Sequence, residues 1–339
     1  MRAERGERWI GGGAFFQLST SPATFNTPTM RRWQKVNRVP WRAYAIVAAV
    51  FLAAAWWLWA PGMDVRDGRD DRGRNGLVLD AGWIADDAWF SKNGGDEAKA
   101  RYRDPIAVRD LVRRAREARV SDVFLALPPA DAEGRLAGRD AAQTESFLYE
   151  CYGLRVIPQV GGTGLPLGDA RWRTFFVRDV RRLLDQHPRF LGVQLRMPEV
   201  KAGDAGFLLL LAEVRAALPE GRTLSIAMGD WDEAWTREVA RKADQLLVAL
   251  GEPGFSSKLY ERTAADRTAA ALAWSEGKAV LVAVPAGDLR AALRGVHLGL
   301  SRAPVPAHWQ GVALEAAGAP GEEAWRDLRL LWGKLSVEG

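Results

Sequence analysis

The stretch GVQLRMPEV (192–200) places Gln194 and Arg196 at alternate positions of an apolar run and follows them with Glu199. Asp80, Glu252 and Glu315 close or follow three other short apolar runs. Carboxylates at strand ends can work in pairs, one as general acid toward a leaving group and the other as base or charge stabiliser. Asp80, Glu199, Glu252 and Glu315 are therefore the candidate catalytic residues. An arginine among them has two readings: it forms an ion-pair network with those carboxylates, or its planar fork of donors binds an anionic substrate group such as a uronate or phosphate. Gln159 ends a further run, and Trp83 and Trp231 each follow one. Indole faces stack on sugar rings, and loop tryptophans equally pin loops in place. Arg196, Gln194, Gln159, Trp83 and Trp231 are accordingly the candidate ligand contacts.

No metal or cofactor is expected. His187, His297 and His308 are far apart and Cys151 is the only cysteine, so no set has metal-ligand spacing and no internal disulfide can form. Beside Phe147, Leu148 and Tyr152, Cys151 reads as a packed helix end. The GGTG at Gly161–Gly164 is too short for a phosphate cradle and reads as a loop.

These residues need elements to position them. Strand candidates are Leu77–Asp80, Asp122–Leu127, Leu154–Val160, Leu191–Met197, Thr223–Met228, Gln245–Leu250, Ala279–Val284 and Gly311–Glu315, separated by amphipathic helical stretches such as Asp104–Arg119 and Asp169–Gln186. Eight strand-helix units over about 260 residues predict an α/β fold, a closed (β/α)8 TIM barrel. The alternative, an open doubly wound sheet, would show a glycine-rich turn after the first strand, where LDAGWIADDAW has none. In a barrel of this kind the candidate residues gather at the carboxyl ends of the strands.

GVQLRMPEV, LSIAM, ADQLLVALGEPG and GVALEA together resemble the chitinase-like glycoside hydrolases of family 18, over residues 76–335. The resemblance implies a fourth strand of the form D-G-x-D-x-D-x-E, whose last carboxylate is the general acid. With Gly192 on the motif's glycine, Gln194 and Arg196 fall on the two aspartates and Pro198 on the glutamate. Gly251 and Glu252 fall on the family's Tyr-Asp pair. The resemblance is thus to a degenerate relative, and Glu199, one residue late, faces the catalytic side only if the strand bulges.

Ala43–Ala60 is eighteen residues without a charge, preceded by Arg31, Arg32, Lys35, Arg38 and Arg42. This predicts one transmembrane anchor, the flank cytoplasmic, with Trp56, Trp57 and Trp59 at the outer interface. A cleaved signal peptide is the alternative, and the tryptophans before the cut fit it poorly. Residues 1–42 hold eight Lys or Arg against two Glu, which leaves 39 basic and 40 acidic residues beyond. The net charge of +5 is thus N-terminal, and no nucleic-acid partner is expected. The domains expected are a disordered basic tail (1–42, with translation starting at Met1 or Met30), the anchor (43–60), a flexible charged linker (61–75) and the barrel (76–335). The expected location is the inner (cytoplasmic) membrane, single-pass, with the barrel in the periplasm or outside the cell.

Three functions fit: a barrel that binds an envelope or extracellular glycan with little or no hydrolysis, an active glycosidase with relocated carboxylates, or a non-catalytic structural ectodomain.

Overall fold

The computed structural model describes residues 41–59, 64–229, 231–251, 254 and 256–333, with side chains in the first helix through residue 56. Residues 1–40, with Met30 and the basic flank except Arg42, lie outside the described residues, as do Ala60 to Met63. The chain divides into two compact units, up to Ala55 and from Trp56 onward. The first is carried by helix α1 (Trp41–Trp59), whose Val50, Phe51 and Leu52 are exposed. No helix among the described residues is long and apolar enough to cross a membrane.

The second unit is a closed barrel of eight parallel strands in sequential order. They are β1 (Asn75–Leu79), β2 (Val120–Ala126), β3 (Arg155–Gly161), β4 (Gly192–Arg196), β5 (Thr223–Met228), β6 (Gln245–Ala249), β7 (Ala279–Pro285) and β8 (Trp309–Ala316). Between β1 and β2 lie α2 (Asp87–Phe90), α3 (Gly95–Tyr102) and α4 (Pro105–Glu117). The remaining helices are α5 (Ala141–Glu150), α6 (Ala170–Gln186), α7 (Ala205–Ala217), α8 (Glu233–Lys242), α9 (Ser257–Trp274), α10 (Leu289–Leu300) and α11 (Glu322–Leu331). The barrel expected from the alternation is the one observed. The short helices α2 and α3 were not expected, because GDEAKARY carries no apolar period.

Local chemistry starts most of the outer helices. Asp104, Asp140, Asp169, Asp204 and Asp232 each accept a hydrogen bond from a backbone N–H in the first turn that follows. Such caps satisfy donors the helix cannot pair itself, worth about 1 kcal/mol each.

Strand periodicity sorts the core into two layers. Val78, Phe124, Ile157, Leu247, Leu281 and Ala313 fill the barrel interior. Residues of opposite parity, such as Val193, Leu195, Leu224 and Ile226, pack outward with the helices. Gly76 makes the interior fit: a Cβ there would meet Ala313 Cβ at 2.8 Å and Phe124 at 3.2 Å. The amino-terminal end of the interior is polar. Buried Asp122 accepts from Gln245 Nε2 at 2.8 Å and faces Arg155 Nη1 at 3.6 Å.

Residues 64–74, expected as part of a flexible linker, are instead tied to the barrel. Asp64 accepts from Arg294 Nε at 2.7 Å, and the Arg294 guanidinium holds its carboxyl below the usual range. Asp70 is buried, its carboxylate 2.6 Å from His297 Nδ1 and its carbonyl accepting from Trp309 Nε1 at 3.0 Å. Asp71 is buried as well and accepts from Asn75 Nδ2 at 3.2 Å. The stretch has no apolar period because charged partners, supplied from far along the chain, fasten it.

Candidate functional site

Strand parity puts Gln194 and Arg196 on the inward face of β4, opposite in sense to Val193 and Leu195. Register places Gln194 beside Gln159 of β3 and Ser225 of β5, and Arg196 beside Gly161. The two amides and the hydroxyl form a buried chain. Gln159 Nε2 donates to Gln194 Oε1, and Gln194 Nε2 donates to Ser225 Oγ at 2.9 Å. Ser225 was not singled out from the sequence, although TLSIAM alternates polar and apolar in a way that points it inward.

Arg196 reaches across the mouth to β8, where its Nη2 donates to Glu315 Oε1 at 3.0 Å. The side chains are 46% and 33% exposed, so the pair lies in solvent reach. An ion pair so placed is worth about 0–1 kcal/mol. Arg196→Met is therefore expected to shift the unfolding free energy by less than about 1 kcal/mol in urea titration. A loss of several kcal/mol would show the pair to be a structural keystone.

Asp80 and Glu199 are engaged as acceptors, from backbone N–H groups and a tyrosine. Asp80 caps the turn after β1 through Gly82 N at 3.3 Å, and its Oδ2 accepts from Tyr102 Oη at 2.5 Å and Gly318 N at 2.8 Å. Asp80 thereby joins the loops after β1 and β8. Burial, followed by the Asp80 hydrogen bond, pushes the Tyr102 hydroxyl well above its ordinary range, so it stays a donor. Glu199 lies in a turn beyond β4, where Oε2 accepts from Gly164 N at 2.7 Å. It ties the loops after β3 and β4 together. Glu252 lies outside the described residues.

Trp83 and Trp231 take packing roles. Trp83 is 2% exposed, edge-on to Tyr102 with ring centroids 5.2 Å apart. Trp231 is 7% exposed, packs on Phe207 and donates Nε1 to the Val200 carbonyl at 3.1 Å, pinning the loop after β4. Neither offers an indole face on which a sugar could stack; each indole is covered by rings from neighbouring segments. Cys151 is likewise buried, its thiol pushed up to about 12 by desolvation, and is no nucleophile at neutral pH.

Between the ends of β2, β3 and β4 lies a cavity of about 140 Å³, bordered by Gln159, Gly161, Gly162, Arg196 and Pro198. The structure thus brings Gln159, Gln194, Arg196 and Glu315 to one mouth, with Asp80 following β1 at its rim. Among the described residues no group of His, Cys, Asp and Glu is arranged to hold a metal ion.

No protein-family model and no curated protein matches this chain. Solved structures do share its fold. The spore cortex-lytic enzyme SleL of Bacillus cereus is 11% identical, with a TM-score of 0.52 over 76% of this chain and 75% of that one. A chitinase from Bacteroides thetaiotaomicron is 11% identical, with a TM-score of 0.50 over 77% and 97%. The β-glycosidase BGL167 is 12% identical, with a TM-score of 0.53 over 80% and 98%. These neighbours, named as glycan-cleaving enzymes, share with this chain the (β/α)8 barrel. At such identities the likeness is one of fold, and function must be argued from the site.

Proposed function

We propose that this protein is a degenerate relative of the family 18 glycoside hydrolases, a barrel that binds an envelope or extracellular glycan at its carboxyl-terminal mouth and hydrolyses it little or not at all. The carrying observation is the inward face of β4. Where the family motif has carboxylates, this chain has Gln194 locked in a buried amide chain, Arg196 paired with Glu315, and Pro198. Amides and a guanidinium hydrogen-bond to sugar hydroxyls and anions well, but neither donates a proton to a leaving group at neutral pH.

The barrel is held at a membrane by the N-terminal segment and faces the periplasm or the cell exterior. The charge-free run at Ala43–Ala60 behind a basic flank supports this placement.

Two measurements test the reading. The full chain in detergent micelles is expected to be retained on a subset of bacterial envelope and extracellular polysaccharides in a glycan array, without releasing reducing ends. Absence of retention on every glycan would remove the binding proposal. A reporter active only outside the cytoplasm, fused after Gly339, is expected to be active. Activity of a cytoplasm-only reporter at that position would refute the placement.

A further inference from the structure

We propose that the cavity between the ends of β2, β3 and β4 is a subsite for an acidic sugar, with Arg196 holding its anionic group and the Gln159 side-chain oxygen accepting from a ring hydroxyl. The inference rests on the glycan-binding reading and assigns the class of ligand. Four observations carry it.

First, Gln159 is 2% exposed and borders the cavity, and among the described residues its buried Oε1 has no hydrogen-bond partner. Its Nε2 is committed to Gln194, which in turn is committed to Ser225. A buried acceptor left unpaired is unfavourable until a donor arrives, and buried polar groups in folded proteins are seldom left that way. A sugar hydroxyl is such a donor.

Second, among the described residues Arg196 is the one charged residue bordering the cavity. Only its Nη2 is hydrogen-bonded, to Glu315, and among the described residues Nε and Nη1 have no hydrogen-bond partner. Nη2 carries a second hydrogen, and together with Nε or Nη1 it can take a carboxylate or phosphate through two parallel bonds. The part-exposed pair with Glu315 can yield to a ligand.

Third, the floor beside Arg196 carries amides. Gln159 and Gln194 are neutral, so the floor itself adds no charge that would repel an anion; the nearest carboxylate, Glu315, is the one Arg196 already neutralises.

Fourth, Gly161 and Gly162 adopt φ of +132° and +142°, which residues with a side chain rarely adopt. A Cβ on Gly162 would meet Pro129 Cβ at 2.9 Å, so a side chain there would intrude on the cavity wall. At about 140 Å³, the space of four or five waters at roughly 30 Å³ each, the cavity takes the anionic substituent and one edge of a ring, with the rest of the sugar in the open mouth.

Uronates and sugar phosphates share the required chemistry, an anion beside ring hydroxyls. The experiment titrates the full chain in detergent micelles with glucuronate, glucose 6-phosphate and glucose at low ionic strength, by calorimetry. At least one of the two acidic sugars is expected to bind tenfold or more tightly than glucose, and which of them does so identifies the anion. The preference is expected to vanish in Arg196→Met and to shrink as salt is added. Gln159→Glu, nearly isosteric, places a negative charge in the floor and is expected to weaken the acidic sugar at least tenfold more than glucose. Should that variant fail to fold, Arg196→Met decides alone, because its side chain is half exposed. Equal affinities for all three sugars, unchanged by Arg196→Met, overturn the subsite; if the glycan array is still positive, the broader binding function stands. No saccharide binding in either experiment overturns both.

Discussion

The purified protein is expected to cleave N-acetylglucosamine oligomers about 10²–10⁴-fold more slowly than the chitinase-like hydrolases whose fourth strand it resembles, the usual cost of losing a general acid. The argument is local to β4. On that resemblance Pro198 falls where the family has its proton donor, and proline has no ionisable group. The β4 pairings end at Arg196, and Glu199 lies beyond them in a turn, where its carboxylate accepts from Gly164 N at 2.7 Å. Glu315 would have to leave Arg196 before serving as an acid, and Asp80 accepts from Tyr102, Gly82 and Gly318. The measurement is release of reducing ends from a chitin tetramer by the full chain, beside Glu199→Gln and Glu315→Gln. Turnover at the rate of an intact hydrolase, abolished in either variant, would mean that the carboxylate has been relocated and that the barrel is an enzyme.

Asn75→Ala is expected to lower the unfolding free energy by about 3–5 kcal/mol, since it strands several buried groups at about 1–3 kcal/mol each. Asn75 is buried at the start of β1 and joins segments distant in sequence. Its Nδ2 donates to Asp71 Oδ1 at 3.2 Å and the Ala118 carbonyl at 3.1 Å, and its Oδ1 accepts from Trp332 Nε1 at 2.9 Å. Alanine removes both functions at once and leaves the partners without compensation. Gly311 belongs to the same arrangement: its φ is +152°, and a Cβ there would meet Asn75 Oδ1 at 2.5 Å. Urea denaturation followed by tryptophan fluorescence reads the loss. A change under about 1 kcal/mol would mean that water replaces these bonds on substitution.

Much of this architecture could be read along the chain because its signals are short-ranged. Alternation with period two puts Gln194 and Arg196 on one face of β4 whatever the remainder of the molecule does. Aspartates ahead of the amphipathic runs begin helices by bonding to N–H groups two or three residues away. The part of the site that lies on strands inherits this legibility: Gln159, Gln194, Arg196 and Glu315 converge because eight parallel strands close on themselves.

What could not be read depended on partners distant in sequence. Trp83 and Trp231 follow strands at the mouth, as a sugar-stacking residue would, but whether an indole is free or covered depends on rings brought from Tyr102 and Phe207. Residues 64–74 have the composition of a loose linker, and become a fastening because His297, Arg294 and Trp309 arrive over 200 residues later to meet their aspartates and backbone. Asp80 is a rim carboxylate in sequence and a loop tether in space. The sequence by itself determined the barrel and the parity of its strands, since each follows from residue type and a local repeat. Only the tertiary structure decided which polar groups of the described residues are satisfied by a partner, because a hydrogen bond across the barrel joins residues whose spacing along the chain carries no period at all.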